Sequence, residues 1–568
     1  MTILDYFVLG GTLLFIVAYG TYKTRKSKNI EGYLLGDKNM KWATIGLSVM
    51  ATQASAITFL STPGQAYESG MAFVQNYLGL PFALIVVSAV FIPIYYKLKV
   101  YTAYEYLEKR FDLKSRMLAA FLFLVQRGLA AGITIYAPAI VLSSVLGWNL
   151  SGTIIVVGVL VIIYTVSGGT KAVSLTQKWQ MGVILLGMAV AFGTIIHNLP
   201  SGVGFLDGLQ LAGKMGKTEA IDFSFDVNKR YTFWSGITGG FFLALSYFGT
   251  DQSQVQRYLG GASVRESRMG LMFNAILKIP MQFFILLTGV MVFVFYQFQP
   301  HDILFDTTSL ELVEGTEYKA DLDELRTVHY EIHAEKKEAA LQLLEEQRNG
   351  TKESTLLAQE NLNLLKTQAF EKRDEAKALV EQAFPNNTQK DSDYVFISYI
   401  LNFMPSGLVG LLLAVIISAA MSSTAGELNA LGSTTSVDFY KRIIKKDGDD
   451  RHYLIMSKVL TAFWGVLAVG FALYADLFEN LIEAVNILGS LFYGTILGIF
   501  LTAFFLKKVR GNAIFFAAIL TQAFILILYQ FQSDNISYLY FNFIGCSMVM
   551  ILAYIFSIFE NNKKAINE

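Results

Sequence analysis

The chain has 568 residues, of which 54% are hydrophobic, 14% aromatic and only 16% charged, and its formal net charge is zero. Soluble domains carry about 25% charged residues, so this composition excludes an ordinary soluble protein and predicts one embedded in a lipid bilayer. The zero net charge predicts no nucleic-acid partner, and the single cysteine, Cys546, excludes an intrachain disulfide.

Apolar segments near the roughly 20 residues that cross a bilayer recur along the whole chain. The N-terminus lacks the basic region and cleavage site of a signal peptide, so Leu4–Tyr22 is interpreted as a retained first span. We predict an all-α integral membrane protein of about thirteen transmembrane helices, at residues 4–22, 42–63, 73–96, 117–146, 150–167, 174–197, 233–256, 269–297, 406–435, 454–475, 481–505, 512–531 and 537–559.

The charges of the loops orient these spans. With thirteen spans every basic cluster falls on one side of the membrane, and the positive-inside rule makes that side cytoplasmic. We therefore expect a multi-pass protein of the plasma (inner) membrane with its N-terminus outside and its C-terminus in the cytoplasm. The basic clusters are residues 23–28, 97–116, 171, 257–268, 441–451, 507–510 and 563–564. The short opposite loops contain no Lys or Arg and are residues 64–72, 147–149, 476–480 and 532–536.

Small and polar residues interrupt two spans, the second (GLSVMATQASAITFLSTPG) and the ninth (GLVGLLLAVIISAAMSSTAGELNALGSTTS). Backbone released from helical bonding within a bilayer is tolerated only where it lines a cavity or is buried in protein. Broken helices at matching places in two halves of a chain indicate a transporter site. The alternative is close helix packing, since small residues also let backbones approach each other. Both interpretations are open at this point.

Residues 305–390 form a polar insertion between the eighth and ninth spans, hence outside the cell. The insertion contains 18 acidic and 11 basic residues, a net charge of −7. Apolar residues at helical spacing on both sides of the turn sequence Arg348-Asn349-Gly350-Thr351 predict an antiparallel helical hairpin of coiled-coil type. A partner could bind this external hairpin.

The sequence lacks the motifs of several enzyme classes. It contains no GxxxxGK[ST] loop for ATP and no HExxH, CxxC or GxSxG sequence, so we expect no enzyme. His329 and His333 lie four residues apart in the insertion with Glu331 between them. Such a pair in a charged helix is typical of a solvated face, and we expect no zinc site there.

Ser422 and Ser423 lie in the middle of the ninth span, where hydroxyls facing lipid would gain nothing. Hard cations take oxygen ligands, so a sodium ion could be bound by these hydroxyls and by carbonyls that an unwound second span frees around Ala51–Ala54. The alternative is that each hydroxyl bonds to the i−4 carbonyl of its own helix. A serine pair opposite a broken helix favours sodium.

The chain resembles the sodium/solute symporters, which include glucose, iodide, monocarboxylate, multivitamin and proline transporters. The resemblance covers everything except the hairpin. The segments that carry it are ATQASAITFLSTPGQAYESG (51–70), KVYTAYEYLEKRFD (99–112), YTVSGGTKAVSLTQ (164–177), YFGTDQSQVQRYL (247–259) and AAMSSTAGELNALGSTTSVDFYKR (419–442).

The resemblance implies sodium-coupled import of a small organic solute or anion by alternating access. It implies ten core helices in two inverted repeats, spans two to six and seven to eleven, with spans two and seven broken and span nine facing them. The chain then divides into a first helix and loop (1–40), the first repeat with the start of the second (41–304), the hairpin (305–390), the rest of the second repeat (391–505) and two peripheral helices (506–568).

Residue by residue, the resemblance implies a sodium site and a solute pocket beside it. The sodium ligands are the carbonyls of Ala51, Ala54 and Ala419 and the hydroxyls of Ser422 and Ser423. The implied pocket or gating residues are Thr58, Tyr77, Tyr247 and Asn486.

This sequence departs from the family's pattern in the solute pocket and at the position of a second sodium site. Thr58 and Tyr77 replace a Gln and a Glu of the galactose-type member, and Ala244 replaces its pocket Asn. Since unpaired buried polar groups cost about 1–3 kcal/mol each, a hexose pocket is not expected, and a small anion or carboxylate is favoured. A second sodium site of some members needs an Asp and further hydroxyls, where this chain has Gln177, Ala425 and Gly426.

Two other functions compete with sodium symport. One is a membrane sensor that uses the transporter body and the hairpin to bind a ligand or partner, although only nine residues follow Phe559 and offer no output domain. The other is a proton-coupled or uncoupled transporter. The serine pair argues against it, because no carboxylate that could carry a proton replaces these serines.

Overall fold

The computed structural model describes residues 2–24, 32, 38–385, 391–474, 480–532 and 535–567. Within these residues every regular element is a helix, and a single isolated bridge joins Met40 to Gly261. The prediction of an all-α fold is therefore confirmed. The predicted basic residues 25–28, most of the predicted loop 476–480 and part of the predicted loop 532–536 lie outside the described residues.

The α-helices of the described residues are α1 to α21 in chain order. The hairpin region lies between the eighth and ninth predicted spans. The first part of the chain forms α1 (Ile3–Thr24), α2 (Trp42–Gln53), α3 (Ala56–Ser69), α4 (Leu80–Val86), α5 (Ile92–Leu98), α6 (Glu105–Arg110), α7 (Leu113–Leu146), α8 (Leu150–His197), α9 (Phe205–Lys214), α10 (Phe241–Thr250), α11 (Gln252–Leu259) and α12 (Val264–Phe298). The hairpin region forms α13 (Thr307–Glu314), α14 (Lys319–Asn349), α15 (Lys352–Ala383) and α16 (Asp391–Phe403). The remainder forms α17 (Leu408–Thr434), α18 (Asp450–Ala472), α19 (Leu481–Phe505), α20 (Gly511–Gln532) and α21 (Leu539–Asn567).

Nine helical segments of the described residues are long and apolar enough to cross a bilayer, and two shorter apolar helices cover Ile3–Thr12 and Leu150–Val166. Each of the thirteen predicted spans overlaps a helical segment. The eleven apolar helical segments are fewer than the thirteen predicted spans for two reasons. One segment, Ile57–Leu98, covers parts of two predicted spans, and the predicted seventh span is divided into short pieces.

The second and seventh spans are both broken, as predicted. The second breaks between α2 and α3, where Ala54 has ψ 59° and Ser55 has ψ 175°, far from helical values. The seventh breaks between α10 and α11 at Asp251, whose ψ is 118° and whose carboxylate accepts a hydrogen bond from Ser253 N at 2.8 Å. The side chain of Asp251 thus caps the helix that restarts behind it.

The ninth span is not interrupted, which decides between the two interpretations that its small residues left open. Helix α17 runs continuously from Leu408 to Thr434 and continues as a π-helical segment, Thr435–Ile444. Its small residues allow close contact with neighbours, since a Cβ added at Gly432 would collide with Thr461 and one at Gly426 with Arg257. For this span the packing interpretation of the small residues is correct.

Residues Leu150–His197 form one helical segment, α8, which must bend back on itself because its two halves pack in opposite directions. A straight helix of its 48 residues would measure about 72 Å, more than twice the thickness of the hydrocarbon core. The first half runs antiparallel to α18, the second half runs antiparallel to α17, and α17 and α18 are antiparallel to each other. Gly158 contacts Val469 and Ile162 contacts Gly465, which orients the first half against α18. Gln180 contacts Ser418 and Gly187 contacts Leu412, which orients the second half against α17. Gly432 contacts Thr461 and Leu428 contacts Gly465, which orients α17 against α18. The predicted fifth and sixth spans are therefore the two halves of α8.

The prediction of a non-helical loop at residues 64–72 is wrong. Helix α3 continues to Ser69, and a 3-10 helix, Gly70–Tyr77, follows it directly. Gly70 turns the chain with φ 72°, and a Cβ there would collide with the backbone of Lys217. Only glycine satisfies both conditions.

Helices α14 and α15 pack side by side as an antiparallel pair, joined at Gly350 and Thr351. The pair lies against the membrane body at both ends. Near the turn, Arg348 donates to the carbonyl of Gly202 at 2.7 Å and forms an ion pair with Asp207 of α9. At the other end Arg373 forms ion pairs with Asp391 and Glu68.

The predicted solvated face at His329 and His333 is also wrong. Both side chains are buried between the hairpin and the body, and His333 Nε2 lies 3.1 Å from the carbonyl oxygen of Tyr296. The sequence pattern could not show this because the burying surface belongs to the distant helix α12. Among the described residues no group of three or more His, Cys, Asp or Glu side chains is placed to hold a metal ion.

Candidate functional site

A cavity of about 130 Å³ lies inside the membrane body, between the broken second span and the third, seventh, eighth and eleventh spans. The four predicted pocket residues, Thr58, Tyr77, Tyr247 and Asn486, all line it. Ligand cavities lie preferentially where several elements converge, and this one suits a solute of few heavy atoms.

The polar atoms of three of these residues are largely engaged within the protein. Thr58 Oγ1 donates to the carbonyl of Gln53 at 2.7 Å and so satisfies a carbonyl that the helix break releases. Asn486 Nδ2 donates to the carbonyl of Ile482 at 2.8 Å, and Tyr247 OH accepts from Gln254 Nε2 at 2.6 Å. These three side chains therefore offer few free polar atoms to a solute with many hydroxyls.

Lys278 lies in this cavity, and sequence reasoning missed it. Its side chain is 1% exposed, and its Nζ lies 5.4 Å from the ring centroid of Tyr77. No described residue accepts a hydrogen bond from its ammonium or forms an ion pair with it. The signal was a lysine inside the predicted apolar span 269–297, because ionisable residues within membrane spans usually mark a functional site.

A buried charge cluster adjoins the cavity and was also missed. Arg127 of α7 contacts the carboxylates of Asp251 and Glu427, the latter at 3.1 Å, while Tyr493 OH donates to Asp251 at 2.7 Å. Thr134 Oγ1 donates to the second oxygen of Glu427 at 2.8 Å. The two carboxylates exceed the single charge of this arginine, so the cluster joins four helices without offering a free positive charge to a solute.

The predicted sodium residues are all buried, and they belong to α2, its C-terminal end and α17, two helices that contact each other: Ala51, Ala54, Ala419, Ser422 and Ser423. Helix α8 joins the same place, since Gln177 Nε2 donates to Thr52 and Gln180 Nε2 donates to the carbonyl of Ser418 at 3.0 Å. The helix break at Ala54 interrupts the backbone bonding of the carbonyls on one side of this junction.

The two serines differ in their partners. Ser423 Oγ donates to the carbonyl of Ala419 at 3.0 Å, which is the backbone-bonding alternative considered from the sequence. Ser422 Oγ is buried and has no hydrogen-bond partner among the described residues. Because an unsatisfied buried hydroxyl costs free energy, Ser422 fits a cation ligand, and Ser423 retains a lone pair for the same ion.

Gln177 and Gly426, at the positions that the family resemblance implies for a second sodium site, contact other groups of the protein. Gln177 Oε1 accepts from Ser48 Oγ at 2.5 Å, and Arg257 Nη1 donates to Ser174 at 3.2 Å. Arg257 is fully buried against Gly426, although the sequence placed it in a cytoplasmic loop cluster. A fixed guanidinium repels a second cation at this position.

The fold and the cavity define a multi-pass membrane transporter. The sequence model of the sodium:solute symporter family matches residues 33–306 and 375–521, so the chain belongs to the sodium:solute symporter family, which confirms the resemblance seen in the sequence.

Two curated relatives and one solved structure illustrate the similarity. Human sodium-coupled monocarboxylate transporter 2 is 31% identical over 273 residues, 48% of this chain and 44% of that protein. The human sodium/iodide cotransporter is 32% identical over 271 residues, 47% of this chain and 41% of that protein. The match thus spans less than half the length of these relatives. The structure of a Na⁺-coupled sialic acid symporter in a substrate-bound, outward-open state shares the fold with a TM-score of 0.75 and 22% identity, covering 98% of both chains.

Proposed function

We propose that the protein is a sodium-coupled symporter for a small solute that carries a carboxylate. The observation that carries this proposal is Lys278, a buried ammonium in the cavity with no anionic partner among the described residues. A carboxylate would supply the missing charge, and hydrogen bonds between charged groups are stronger than neutral ones. Similarity to a monocarboxylate transporter supports the same solute class.

Sodium and solute bind on either side of the broken second span. Sodium bound to Ser422, Ser423 and the carbonyls of Ala51, Ala54 and Ala419 holds α2 against α17, and α2 carries Gln53, whose carbonyl fixes Thr58 at the cavity. Binding of the ion thereby orders the wall of the solute cavity, which is how the two affinities are coupled. Rocking of the two inverted repeats then exposes both sites to the other side.

The direct test is uptake by proteoliposomes that contain the purified protein. We expect lactate, a carboxylate of few atoms, to accumulate when a sodium gradient points inward and not when potassium replaces sodium. Lactamide has nearly the same shape without the charge, and an excess of it should not compete. Uptake that ignores sodium, or that lactamide inhibits as well as unlabelled lactate does, would overturn the proposal.

We also propose the orientation and division of the chain that the loop charges and the resemblance predict. The N-terminus and the hairpin of residues 305–390 then lie outside the plasma membrane, the C-terminus lies in the cytoplasm, and an external partner could reach the hairpin. Protease added to intact cells should cleave a site inserted after Gly350 and spare a C-terminal tag. Cleavage of the tag alone would reverse the orientation.

One sodium ion should accompany each solute, because Gln177 and Arg257 occupy the second cation position. Sodium-dependent uptake should then show a Hill coefficient near one, and transport of a monoanion should be electroneutral, so that membrane potential leaves its rate unchanged. A coefficient near two with a matching reversal potential would contradict this stoichiometry.

A further inference from the structure

Residues of the hairpin and of the membrane body line a second, smaller cavity that the proposed transport does not use. It has a volume of about 30 Å³ and lies between α14, α15 and the end of α12. A water molecule needs about 10–15 Å³ measured in this way, so the cavity holds a pair of waters or one ion of chloride size. Residues 307–374, which include most of the hairpin, lie outside the match to the family.

The wall of this cavity is basic. Lys336, Lys366 and Arg373 line it together with His301 and His329, and the described lining residues include no carboxylate. A fourth cation stands directly behind the wall. Lys217 Nζ lies 4.7 Å and 5.7 Å from the ring centroids of Phe293 and Phe370, which both line the cavity.

The carboxylates nearby are already paired with arginines. Asp391 accepts from Arg373 Nε at 2.8 Å, and Glu68 accepts from Arg373 Nη2 at 3.3 Å. Asp302 accepts from Arg326 at 2.9 Å and 2.8 Å. Three carboxylates thus face two arginines, and neither Lys336 nor Lys366 forms an ion pair with a described residue.

The lysines themselves meet only neutral groups. Lys366 donates to the carbonyl of Met215 at 3.1 Å, and Lys217 donates to the carbonyl of Glu68. Lys336 is 7% exposed, and no described residue forms a hydrogen bond or an ion pair with it. The ring nitrogens of His329, also buried, have no hydrogen-bond partner among the described residues.

Burial and repulsion by neighbouring cations both lower the pKa of Lys336 and of Lys217. Burial, reinforced by Arg373 and Lys366, lowers the pKa of Lys336 to about 8, and burial with Lys366 among its causes lowers the pKa of Lys217 to about 7. Burial lowers the pKa of His329 to about 4, so its ring is neutral near pH 7. An anion in the cavity would favour the charged form of the lysines and so offset the lowering of their pKa by burial and repulsion.

We propose that this cavity binds one small inorganic anion of chloride size, with Lys336 and Lys366 supplying the positive charge and His329 a neutral N–H donor. The bound anion fastens the hairpin to the body, because the cavity is formed by residues of both. A volume of about 30 Å³ favours an ion of chloride size, and this cavity shares no lining residue with the solute cavity around Lys278.

The test is the thermal stability of the purified full-length protein in sodium chloride against sodium gluconate at equal ionic strength. A ligand that binds the folded state raises the apparent melting temperature by mass action, so chloride and bromide should raise it saturably while gluconate should not. Lys336→Met should raise the chloride concentration for half-maximal stabilisation at least tenfold.

Two further variants and a direct measurement separate binding from general stability. Lys337→Met removes a charge from the exposed neighbour on the same helix and should keep the full chloride response, as should Lys336→Arg, which retains the charge. Bromide should give an anomalous diffraction peak in this cavity of the unmodified protein. Equal stability of that protein in chloride and gluconate, a full chloride response in Lys336→Met, or a cavity without bromide would each refute the site. None of these readings depends on transport.

Discussion

Replacing Lys278 by methionine is expected to raise the KM for a transported carboxylate by between tenfold and a hundredfold. Methionine keeps the length of the side chain and fills the same space, so the change removes the charge from the cavity with little loss of packing. A hydrogen bond to a charged group contributes about 1.5–3 kcal/mol, and each 1.4 kcal/mol corresponds to a factor of ten.

The measurement is uptake of labelled lactate into proteoliposomes over a range of lactate concentrations at saturating sodium. Lys278→Arg keeps a positive charge on the same helix and should retain more of the affinity than the methionine variant. The neutral analogue lactamide should compete better in Lys278→Met than in the unmodified protein, since a neutral cavity no longer favours the anion. An unchanged KM in Lys278→Met would remove the basis for a carboxylate solute, while leaving sodium coupling to be judged by its own test.

The second large effect is expected at the serine pair of α17. Removing both hydroxyls, as Ser422→Ala with Ser423→Ala, should raise the sodium concentration for half-maximal uptake at least tenfold, which corresponds to about 1.4 kcal/mol of binding. Of the single variants, Ser422→Ala should have the larger effect, because Ser423 already donates to the carbonyl of Ala419 and Ser422 Oγ has no described partner.

Ser433→Ala is the matched control for the serine pair. Ser433 is buried in the same helix, and its hydroxyl donates to the carbonyl of Ala430 at 2.9 Å, so its removal reports the general cost of losing such a bond. Sodium dependence should be unchanged in this variant. If the double variant also kept normal sodium dependence at normal expression, the ion would bind elsewhere.

The sequence predicted those parts of the fold that depend on local pattern. Apolar length located every span, and the break at Ala54 followed from small and polar residues in an otherwise apolar helix. The same pattern left the ninth span undecided, because a continuous helix that packs against Arg257 and Thr461 needs small residues as much as a broken one does. Local composition does not distinguish the two causes.

The candidate site was predicted where it matched the family's motifs and missed where it depends on contacts between distant segments. Thr58, Tyr77, Tyr247 and Asn486 meet at one cavity as expected. Lys278 was visible as a charge within a span, but whether it is paired depends on three-dimensional placement alone. The partners of Arg127 illustrate the point, since Asp251 and Glu427 lie more than a hundred residues away along the chain.

The attachment of the hairpin at both ends has a mechanical consequence. Ion pairs fix one end to Glu68, which continues the second span of the first repeat, and the other end to Asp207 of α9. Near Glu68 the hairpin also holds Asp391, which leads into the second repeat. Helices α14 and α15 each measure about 45 Å, so a rigid pair attached at these points would resist the rotation of the two repeats that we propose. Spin labels on the pair and on α9 would therefore show a fixed separation in one orientation of the transporter and a changed separation in the other, so that turnover can be timed without access to the solute.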